Sequence, residues 1–527
     1  MNRSAQHSSP AWLISKRWDL ILLALIVIGG AFLRIPGIPH GIGHHPDERH
    51  MVMVTGDLSH QGMNPKSFAY GSFSFYMAWA FSQIVKPFWE FAATYDGLFY
   101  SGRAFCTLMG TVAIALSYHL AVLLYRRSAV GLIAAFLMAC NVFHLQLSRF
   151  FTSDIPLTTL ALISVIALVK AHQKGTLWSF LVFGLCTGLA TATKISSVFL
   201  ASPLFVVLGL ALIKEWPRTD STKRFLKVLA IIVGGVALCG LTLFLTYLKG
   251  YPRILRYRVA QPAFLIPLSV PFLAGISILL RRHSKALSKL FACFAVGVLV
   301  FVLAEPYAIL DFDTFVRQTR EQTSMVRGIW RPPYTIQYER TVPYFYHLKQ
   351  MLWYTMGWPV FTVVVLGVIA ASARVLIDLL DKILRRELSS KPLHPEMIPL
   401  VFVAVFFLAT GYFQVKFPRY LLPLYPMLFI FAAALFASMF RSPSAKFKSL
   451  STEGVAQDSD KLVRSTTLLA PVDVSSSPAY GDPTPVERNV AEPVEGTTEQ
   501  PPLIESSSVE HVALHSEESE TKGPSDQ

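Results

Sequence analysis

Apolar stretches of about twenty residues, separated by short polar loops, recur along most of the chain. A stretch of this length can cross the hydrocarbon core of a bilayer as a helix. The pattern therefore predicts an all-α integral membrane protein with about twelve transmembrane helices. We place the spans at residues 19–36, 98–124, 128–147, 156–172, 177–193, 195–213, 227–247, 259–280, 288–304, 350–372, 398–413 and 419–440.

The basic residues of the loops predict the orientation of the spans. If the N-terminus lies inside, every predicted inside loop is basic, including 126–127, 214–227, 281–289 and 374–391. Because Lys and Arg are enriched in cytoplasmic loops, this agreement supports the number of spans. It also predicts that the long loops at 37–97 and 305–349 face outward.

The apolar segment Phe73–Phe91 is the main challenge to this topology. It is apolar enough to span, but it contains Gln83 and Lys86, and a crossing here would turn every later basic loop outward. We interpret it as an interfacial helix in the first outer loop, with its aromatic side chains at the level of the lipid headgroups.

Composition divides the chain into two regions. Of the 527 residues, 53% are hydrophobic, the mean hydropathy is +0.47 and the net charge is +14. Residues 450–527 hold fifteen Asp and Glu against four Lys and Arg, and they lack apolar periodicity. We predict a transmembrane domain at 1–448 and a disordered, acidic cytoplasmic tail at 449–527.

The basic membrane body suits anionic lipid headgroups and phosphates. Nucleic acid is a poor explanation of the basicity, because the charges lie in short loops between spans. The cysteines lie in apolar runs without a CxxC pair, so we expect buried small side chains rather than disulfides or a metal site. They are Cys106, Cys140, Cys186, Cys239 and Cys293.

Three acidic residues on the predicted outer face are candidates for catalysis. Asp47 and Glu48 follow the first span by about ten residues, where a carboxylate can act as a general base towards an acceptor hydroxyl. Asp154 follows the third span and precedes Pro156. The alternatives are a solvated acidic pair at the start of a surface helix and, for Asp154, a plain helix N-cap.

Basic residues on the same face could hold a phosphate. The loop after the seventh span has an excess of positive charge that opposes the orientation rule, and an anionic ligand would explain it. Individually, each residue could equally be a snorkelling anchor. The candidates for phosphate binding are Arg103, Lys194, Arg253, Arg256, Arg258 and Arg419.

Five motifs in order resemble the GT-C glycosyltransferases of the protein O-mannosyltransferase type, a group that includes the lipid A aminoarabinose transferase. The resemblance covers roughly residues 15–440. The acidic tail lies outside it. The motifs are His45-Pro-Asp-Glu, Gly71-Ser-Phe-Ser-Phe-Tyr76, the stretch from Gly131 to Asp154-Ile-Pro-Leu, Gly188-Leu-Ala-Thr-Ala-Thr-Lys194, and Lys416-Phe-Pro-Arg419-Tyr420 with Pro423 and Pro426.

The resemblance implies a GT-C-type bundle that uses a polyprenyl- or dolichyl-phosphate sugar as donor. Asp47 would take the acceptor proton in an inverting displacement, while Glu48 and Asp154 hold the acceptor or orient Asp47. His45, His50 and Tyr420 would orient these groups. Basic side chains would stabilise the departing lipid phosphate. We expect no obligatory metal, although His44, His45 and Asp47 could coordinate a divalent ion.

The sequence leaves the sugar and the acceptor open, and the acceptor hydroxyl could belong to a protein, a lipid or a wall polymer. We favour a bacterial plasma membrane, with the active site facing outside or the periplasm. The leading alternative is a twelve-helix secondary transporter, but the halves show no repeat and charges are not grouped at mid-membrane depth. A non-catalytic membrane scaffold is the other alternative.

Overall fold

The structure is a computed structural model that describes residues 10–38, 45–215, 265–281, 284–388 and 391–440. Within these ranges the regular elements are helices, and no β-strand occurs. The prediction of an all-α protein is therefore confirmed. The predicted span at 227–247, Cys239 and the acidic tail at 449–527 lie outside the described residues.

The N-terminal half of the described chain begins with a long helix, and two shorter helices follow in the first outer loop. The helices are α1 Pro10–Arg34, α2 Pro46–Asp57, α3 Ser72–Val85, α4 Tyr95–Tyr125, α5 Ser128–Cys140, α6 Val142–Ser148, α7 Asp154–Lys174, α8 Leu177–Thr193 and α9 Ser202–Glu215. A 3₁₀ helix, Ile195–Ala201, leads directly into α9.

The C-terminal half combines long apolar helices with short helices in the second long outer loop. They are α10 Leu265–Leu280, α11 Lys285–Ala304, α12 Tyr307–Leu310, α13 Phe312–Val326, α14 Phe345–Gln350, α15 Trp358–Leu384, α16 Met397–Gly411 and α17 Tyr425–Met439. A π-helix, Met351–Thr355, precedes α15, and a 3₁₀ helix, Pro418–Leu424, leads into α17.

Six described helices are long and apolar enough to cross a membrane, or seven if the bent pair α5–α6 is one span. Three further apolar helices, in the α8, α10 and α16 regions, are shorter. The chain is thus an integral membrane protein. The predicted count of twelve spans is not confirmed. Most of the described helices coincide with the predicted segments to within several residues, but α1 begins nine residues before its predicted span and α15 ends twelve residues after its own.

The predicted span at 128–147 is corrected by the structure, because it is broken rather than continuous. Helices α5 and α6 meet at Asn141 with a bend of 60°. The side-chain oxygen of Asn141 accepts a hydrogen bond from the backbone N–H of His144 (2.9 Å), and its amide donates to the Thr355 carbonyl (2.7 Å). Asn141 therefore caps α6, and local capping competes successfully with helix continuation.

Arg34, at the end of α1, fills the break between α5 and α6. Its guanidinium is fully buried and donates to the carbonyls of Met138 (3.4 Å) and Ala139 (3.3 Å), which end α5. It also donates to Nδ1 of His144 at 2.9 Å. A cation at a helix C-terminus satisfies carbonyls that have no partner within the helix. Arg34 thus stabilises the break from a different span.

Helices α7 and α17 are the most deeply buried of the candidate spans, whereas α15 lies at the periphery. Helix α7 packs against α4 and α8, and α17 packs against α5 and α15. Gly184 and Gly188 of α8 approach the backbone of α11 so closely that an added Cβ at Gly184 would overlap the Cys293 carbonyl. Small residues spaced in this way allow membrane helices to pack at short distance.

The two long loops at 37–97 and 305–349 are joined by side-chain to backbone and side-chain to side-chain contacts. Asn64 donates to Asp311 (3.0 Å), and Gln318 accepts from the backbone N–H of Phe68 (2.5 Å). Glu305, at the end of α11, accepts from the backbone N–H and the hydroxyl of Ser72, both at 3.4 Å. The predicted helix at 73–91 is present as α3, which ends before Lys86.

Candidate active site

The acidic pair lies in the first turn of α2, where Pro46 is the first helical residue and His45 is the N-cap. Carboxylates at a helix N-terminus are stabilised by the helix dipole. Successive residues of a helix point about 100° apart, so the two side chains separate. Glu48 is fully buried, while Asp47 remains partly exposed at the surface of the site.

Glu48 forms a buried ion pair with Arg103 of α4. The guanidinium donates from Nε and Nη2 to the two carboxylate oxygens, each at 2.7 Å, and from Nη1 to the Ile38 carbonyl at 2.9 Å. Glu48 also accepts from the backbone N–H of Phe151 at 2.9 Å. A fork-to-fork pair with its remaining groups hydrogen-bonded offsets the cost of burying two charges. The pair joins α2, α4 and the segment before α7.

Asp47 and Asp154 are bridged by Arg419 from the 3₁₀ helix before α17. The guanidinium lies 2.7 Å from a carboxylate oxygen of Asp47 and 3.7 Å from one of Asp154. Lys194, the C-cap of α8, donates to the other oxygen of Asp154 at 2.8 Å. The sequence places these four residues far apart, and the helix ends bring them together as two acids and two cations.

Asp154 is the first residue of α7, and Ser153 takes the N-cap position. The alternative interpretation of Asp154 as an N-cap therefore does not hold. Its side chain is 1% exposed and faces Lys194 and Arg419 instead. Both cations also lie over aromatic rings: Lys194 over Tyr420 (4.7 Å) and Arg419 over Phe417 (4.4 Å). These contacts add to the ion pairs in fixing the cations.

Gly71 fixes the position of Lys194. Its backbone N–H donates to the Thr193 carbonyl at 3.0 Å, and an added Cβ would overlap the Ala192 carbonyl. The start of α3 therefore rests against the end of α8, one residue before the lysine. This contact connects two of the motifs that carry the family resemblance.

His45 and His50 flank Asp47 and are neutral at pH 7. Burial lowers the pKa of both imidazoles, against a smaller opposing effect of Asp47. His45 packs on Phe150, with ring centroids 5.1 Å apart, and Nε2 of His50 lies 2.9 Å from the Ser67 hydroxyl. The histidines therefore position α2 and add no positive charge to the site.

Four residues predicted for the site lie outside the described residues: His44, Arg253, Arg256 and Arg258. Among the described residues, no group of three or more His, Cys, Asp or Glu side chains is arranged to hold a metal. The expectation that no metal is obligatory stays a prediction.

A family model described as dolichyl-phosphate-mannose-protein mannosyltransferase matches residues 91–240. The matched range includes Arg103, Asp154 and Lys194. The match indicates a glycosyltransferase. It confirms the resemblance predicted from the motifs, although the match itself covers less than half of the chain.

Two solved structures match the chain at low sequence identity. Archaeal oligosaccharyltransferase AglB from Archaeoglobus fulgidus, in complex with an inhibitory peptide and a dolichol-phosphate, is 16% identical, with a TM-score of 0.47, over 88% of this chain and 53% of its own. ArnT from Cupriavidus metallidurans, bound to undecaprenyl phosphate, is 13% identical, with a TM-score of 0.44, over 83% and 63%. The chain thus spans about half of the archaeal protein. No curated protein matches it by sequence.

The candidate site also includes residues that the sequence analysis does not single out. Tyr70 is partly buried, and its pKa is raised well above the usual value, first by burial and then by Asp47. Tyr334, in the second long outer loop, stacks on Phe417 at 6.5 Å, and burial and Asp47 raise its pKa. The aromatic character of that loop was the one signal in the sequence for Tyr334.

Proposed function

We propose that the protein transfers a sugar from a polyprenyl- or dolichyl-phosphate carrier to an acceptor hydroxyl. The observation that supports this proposal is that the three acidic side chains differ in their exposure. Glu48 and Asp154 are buried against cations, whereas Asp47 is partly exposed beside Arg419. A general base must reach the proton that it removes, and Asp47 is the acid that meets this requirement.

The proposed reaction is a single displacement with inversion. The acceptor oxygen forms a bond to the anomeric carbon as its proton passes to the Asp47 carboxylate. The bond between that carbon and the phosphate oxygen breaks, and the lipid phosphate leaves with the electron pair. One base and stabilisation of the leaving group suffice for this chemistry, so no second carboxylate is required as a nucleophile.

Arg419 has two roles in this proposal. Its guanidinium holds the Asp47 carboxylate, from which it lies 2.7 Å. It would also bind the lipid phosphate of a donor placed next to that carboxylate. Asp154 and Lys194 hold Arg419 in place through a charge network behind it. Glu48 and Arg103 position α2, so they act on Asp47 through the helix that carries it.

We propose a GT-C-type bundle of about twelve spans at 1–448, with the acidic tail 449–527 in the cytoplasm. The site would face outside or the periplasm across a bacterial plasma membrane, because the loops next to Asp47 and Asp154 alternate with the basic loops. The donor class is supported by the family model, which names a dolichyl-phosphate sugar for its members. The acceptor would be a hydroxyl of a protein, a lipid or a wall polymer.

The test is transfer by the purified full-length protein in lipid nanodiscs. Radiolabelled polyprenyl-phosphate mannose, glucose, galactose and aminoarabinose are each supplied with a mixture of hydroxyl acceptors, and released lipid phosphate and labelled product are both measured. We expect at least one donor to give both products, and Asp47→Asn to remove them. Failure of every donor, with folded protein, would reject the proposal.

A further inference from the structure

Lys416 is a buried cation three residues before Arg419, in the segment between α16 and the last 3₁₀ helix. Its side chain is not exposed, and its ammonium donates to the Gln414 carbonyl at 3.1 Å. An ammonium group has three N–H donors. Within the described ranges, no carboxylate oxygen lies within 4.0 Å of it. The charge of Lys416 is therefore uncompensated by the described part of the chain.

The other buried cations on this side of the molecule differ from Lys416. Arg103, Lys194 and Arg419 each form an ion pair with at least one carboxylate. Arg34 lacks a carboxylate, but it donates to three backbone carbonyls, an imidazole and a hydroxyl. Each of these cations has partners that replace water. Burying a charge without such partners is costly, so Lys416 requires an explanation.

His347 of α14 is also without a described partner, and its neighbour Tyr346 packs against the cluster that includes Val415, the residue before Lys416. Its side chain is 1% exposed, and neither ring nitrogen has a hydrogen-bond partner among the described residues. Burial, and then the charge of Lys416, lower its pKa to about 4. The imidazole is therefore neutral at pH 7 and has one N–H donor. Lys416 and His347 therefore both have N–H donors without an acceptor among the described residues.

The segment that carries Lys416 is held firmly in place. The backbone N–H groups of Gln414 and Val415 donate to the Val326 carbonyl at 2.8 and 3.4 Å. The neighbours Val415 and Phe417 pack in the cluster around Met325 and Tyr338. Lys416 lies next to these contacts, so its backbone is held in place. A fixed cation is the arrangement expected of a preformed anion site.

We propose that Lys416 and His347 form an anion-binding site that takes the phosphate of the lipid carrier. This inference rests on the proposed function. The catalytic cluster has two carboxylates and two cations, so its charge is balanced before a donor binds. A donor phosphate brings negative charge, and Lys416, close along the chain to Arg419, supplies the matching charge. Lysine binds phosphate as a point charge, and the imidazole adds one donor.

The experiment measures binding of undecaprenyl phosphate, without a sugar, to the full-length protein in nanodiscs. We expect Lys416→Met to weaken binding about 10–100-fold, because a charge-assisted contact is lost. Lys416→Arg should retain most of the affinity, and His347→Phe should lose roughly threefold to tenfold. Lys349→Met is the matched control, because Lys349 is an exposed lysine two residues after His347. Its affinity should equal that of the wild type.

Thermal unfolding separates this role from a structural one. Lys416→Met removes an uncompensated buried charge, so it should fold at least as stably as the wild type, but undecaprenyl phosphate should no longer raise its Tm. Unchanged affinity and an unchanged ligand-induced rise in Tm in folded Lys416→Met would overturn the inference. If this variant is unfolded, the same comparison is made with His347→Phe.

Two further experiments identify the ligand and distinguish a failure of the anion site from a failure of the proposed function. Equal, Lys416-dependent stabilisation by inorganic phosphate alone would overturn the assignment to the lipid carrier. Lys416-dependent binding of undecaprenyl phosphate in a wild type that transfers none of the sugars would support the anion site and reject the proposed function. Normal transfer and normal binding in Lys416→Met would reject the anion site alone.

Discussion

The guanidinium of Arg103 and the carboxylate of Glu48 form two parallel hydrogen bonds of 2.7 Å, and neither side chain is exposed. Either single neutral variant, Glu48→Gln or Arg103→Met, leaves a buried group without its partner. We expect each to lower the free energy of unfolding by about 3–5 kcal/mol. Thermal unfolding in detergent, with activity per folded molecule, measures the loss.

The double variant Glu48→Gln/Arg103→Met removes both charges at once. It should be less destabilised than the sum of the two single variants, because the main cost lies in one unpaired buried charge. Additive losses would contradict the interpretation of the pair as a coupled structural unit.

Asp47 and Asp154 should respond differently to neutralisation. Asp47→Asn should lower turnover by roughly 10²–10⁴-fold with little change in stability, because it removes a base at a partly exposed position. Asp154→Asn should lower both turnover and stability, because it leaves Lys194 and Arg419 with less negative charge in a buried site. Single-turnover rates and Tm values on the same preparations distinguish the two patterns. Normal turnover in Asp47→Asn would move the base to another residue.

Glu305 should make the stability of the protein depend on pH. Burial raises its pKa to about 8 from 4.5. Between these values the folded protein binds a proton that the unfolded chain does not, so the free energy of unfolding falls as pH rises, by up to about 1.4 kcal/mol per pH unit. Glu305→Gln does not titrate. Its gain in stability over the wild type should therefore be larger at pH 8 than at pH 5.

The Glu305 measurement is a series of Tm values between pH 5 and pH 8.5. Glu339→Gln serves as the control, because Glu339 is an exposed glutamate of the same loop at 305–349. A stability difference between wild type and Glu305→Gln that stays constant across this range would show that Glu305 does not titrate there.

Cysteine labelling in intact cells tests the orientation of the spans. His60 and Lys285 are both exposed, and they lie in a predicted outer and a predicted inner loop. We expect an impermeant maleimide to label His60→Cys without permeabilisation and Lys285→Cys only after it. The reverse labelling pattern would contradict the proposed orientation of the spans and therefore also a reaction on the outer face. The exposed Cys140 is first replaced by Ser to lower background labelling.

Removal of divalent ions should leave transfer within about twofold of its initial rate. Arg419 and Lys194 already balance the charges of Asp47 and Asp154, so a metal ion would have to compete with a guanidinium for these carboxylates. Dialysis against EDTA, followed by transfer assays with and without Mg²⁺ or Mn²⁺, gives the answer. A loss that one of these ions restores would assign a metal to the site.

The positions of the helices could be predicted because apolar length and basic loops are properties of the local sequence. Asp47, Asp154, Lys194 and Arg419 could be selected for the same reason, since each lies at the outer end of a predicted span. The structure brings these four together, as the predicted topology requires. Their roles in catalysis remain predictions.

The pairings could not be predicted. Asp47 and Glu48 are adjacent and chemically alike. Only the packing of α4 determines that Glu48 pairs with Arg103 and is buried, whereas Asp47 remains partly exposed. The sequence analysis assigns Arg103 to the donor phosphate, because the sequence does not show that Glu48 is its partner. The break at Asn141 cannot be predicted from hydropathy, because hydropathy measures apolar content and does not detect a side-chain amide that caps a helix within an apolar run.

The contact of Arg34 with the end of α5 has a consequence for biosynthesis. Arg34 enters the membrane with the first span, whereas the carbonyls of Met138 and Ala139 and the His144 imidazole are made about a hundred residues later. Until then its charge must remain near the lipid headgroups, which the end position on α1 allows. We therefore expect the first span to reach its final depth only after the bent pair α5–α6 has been made, so that the N-terminal half assembles in a defined order.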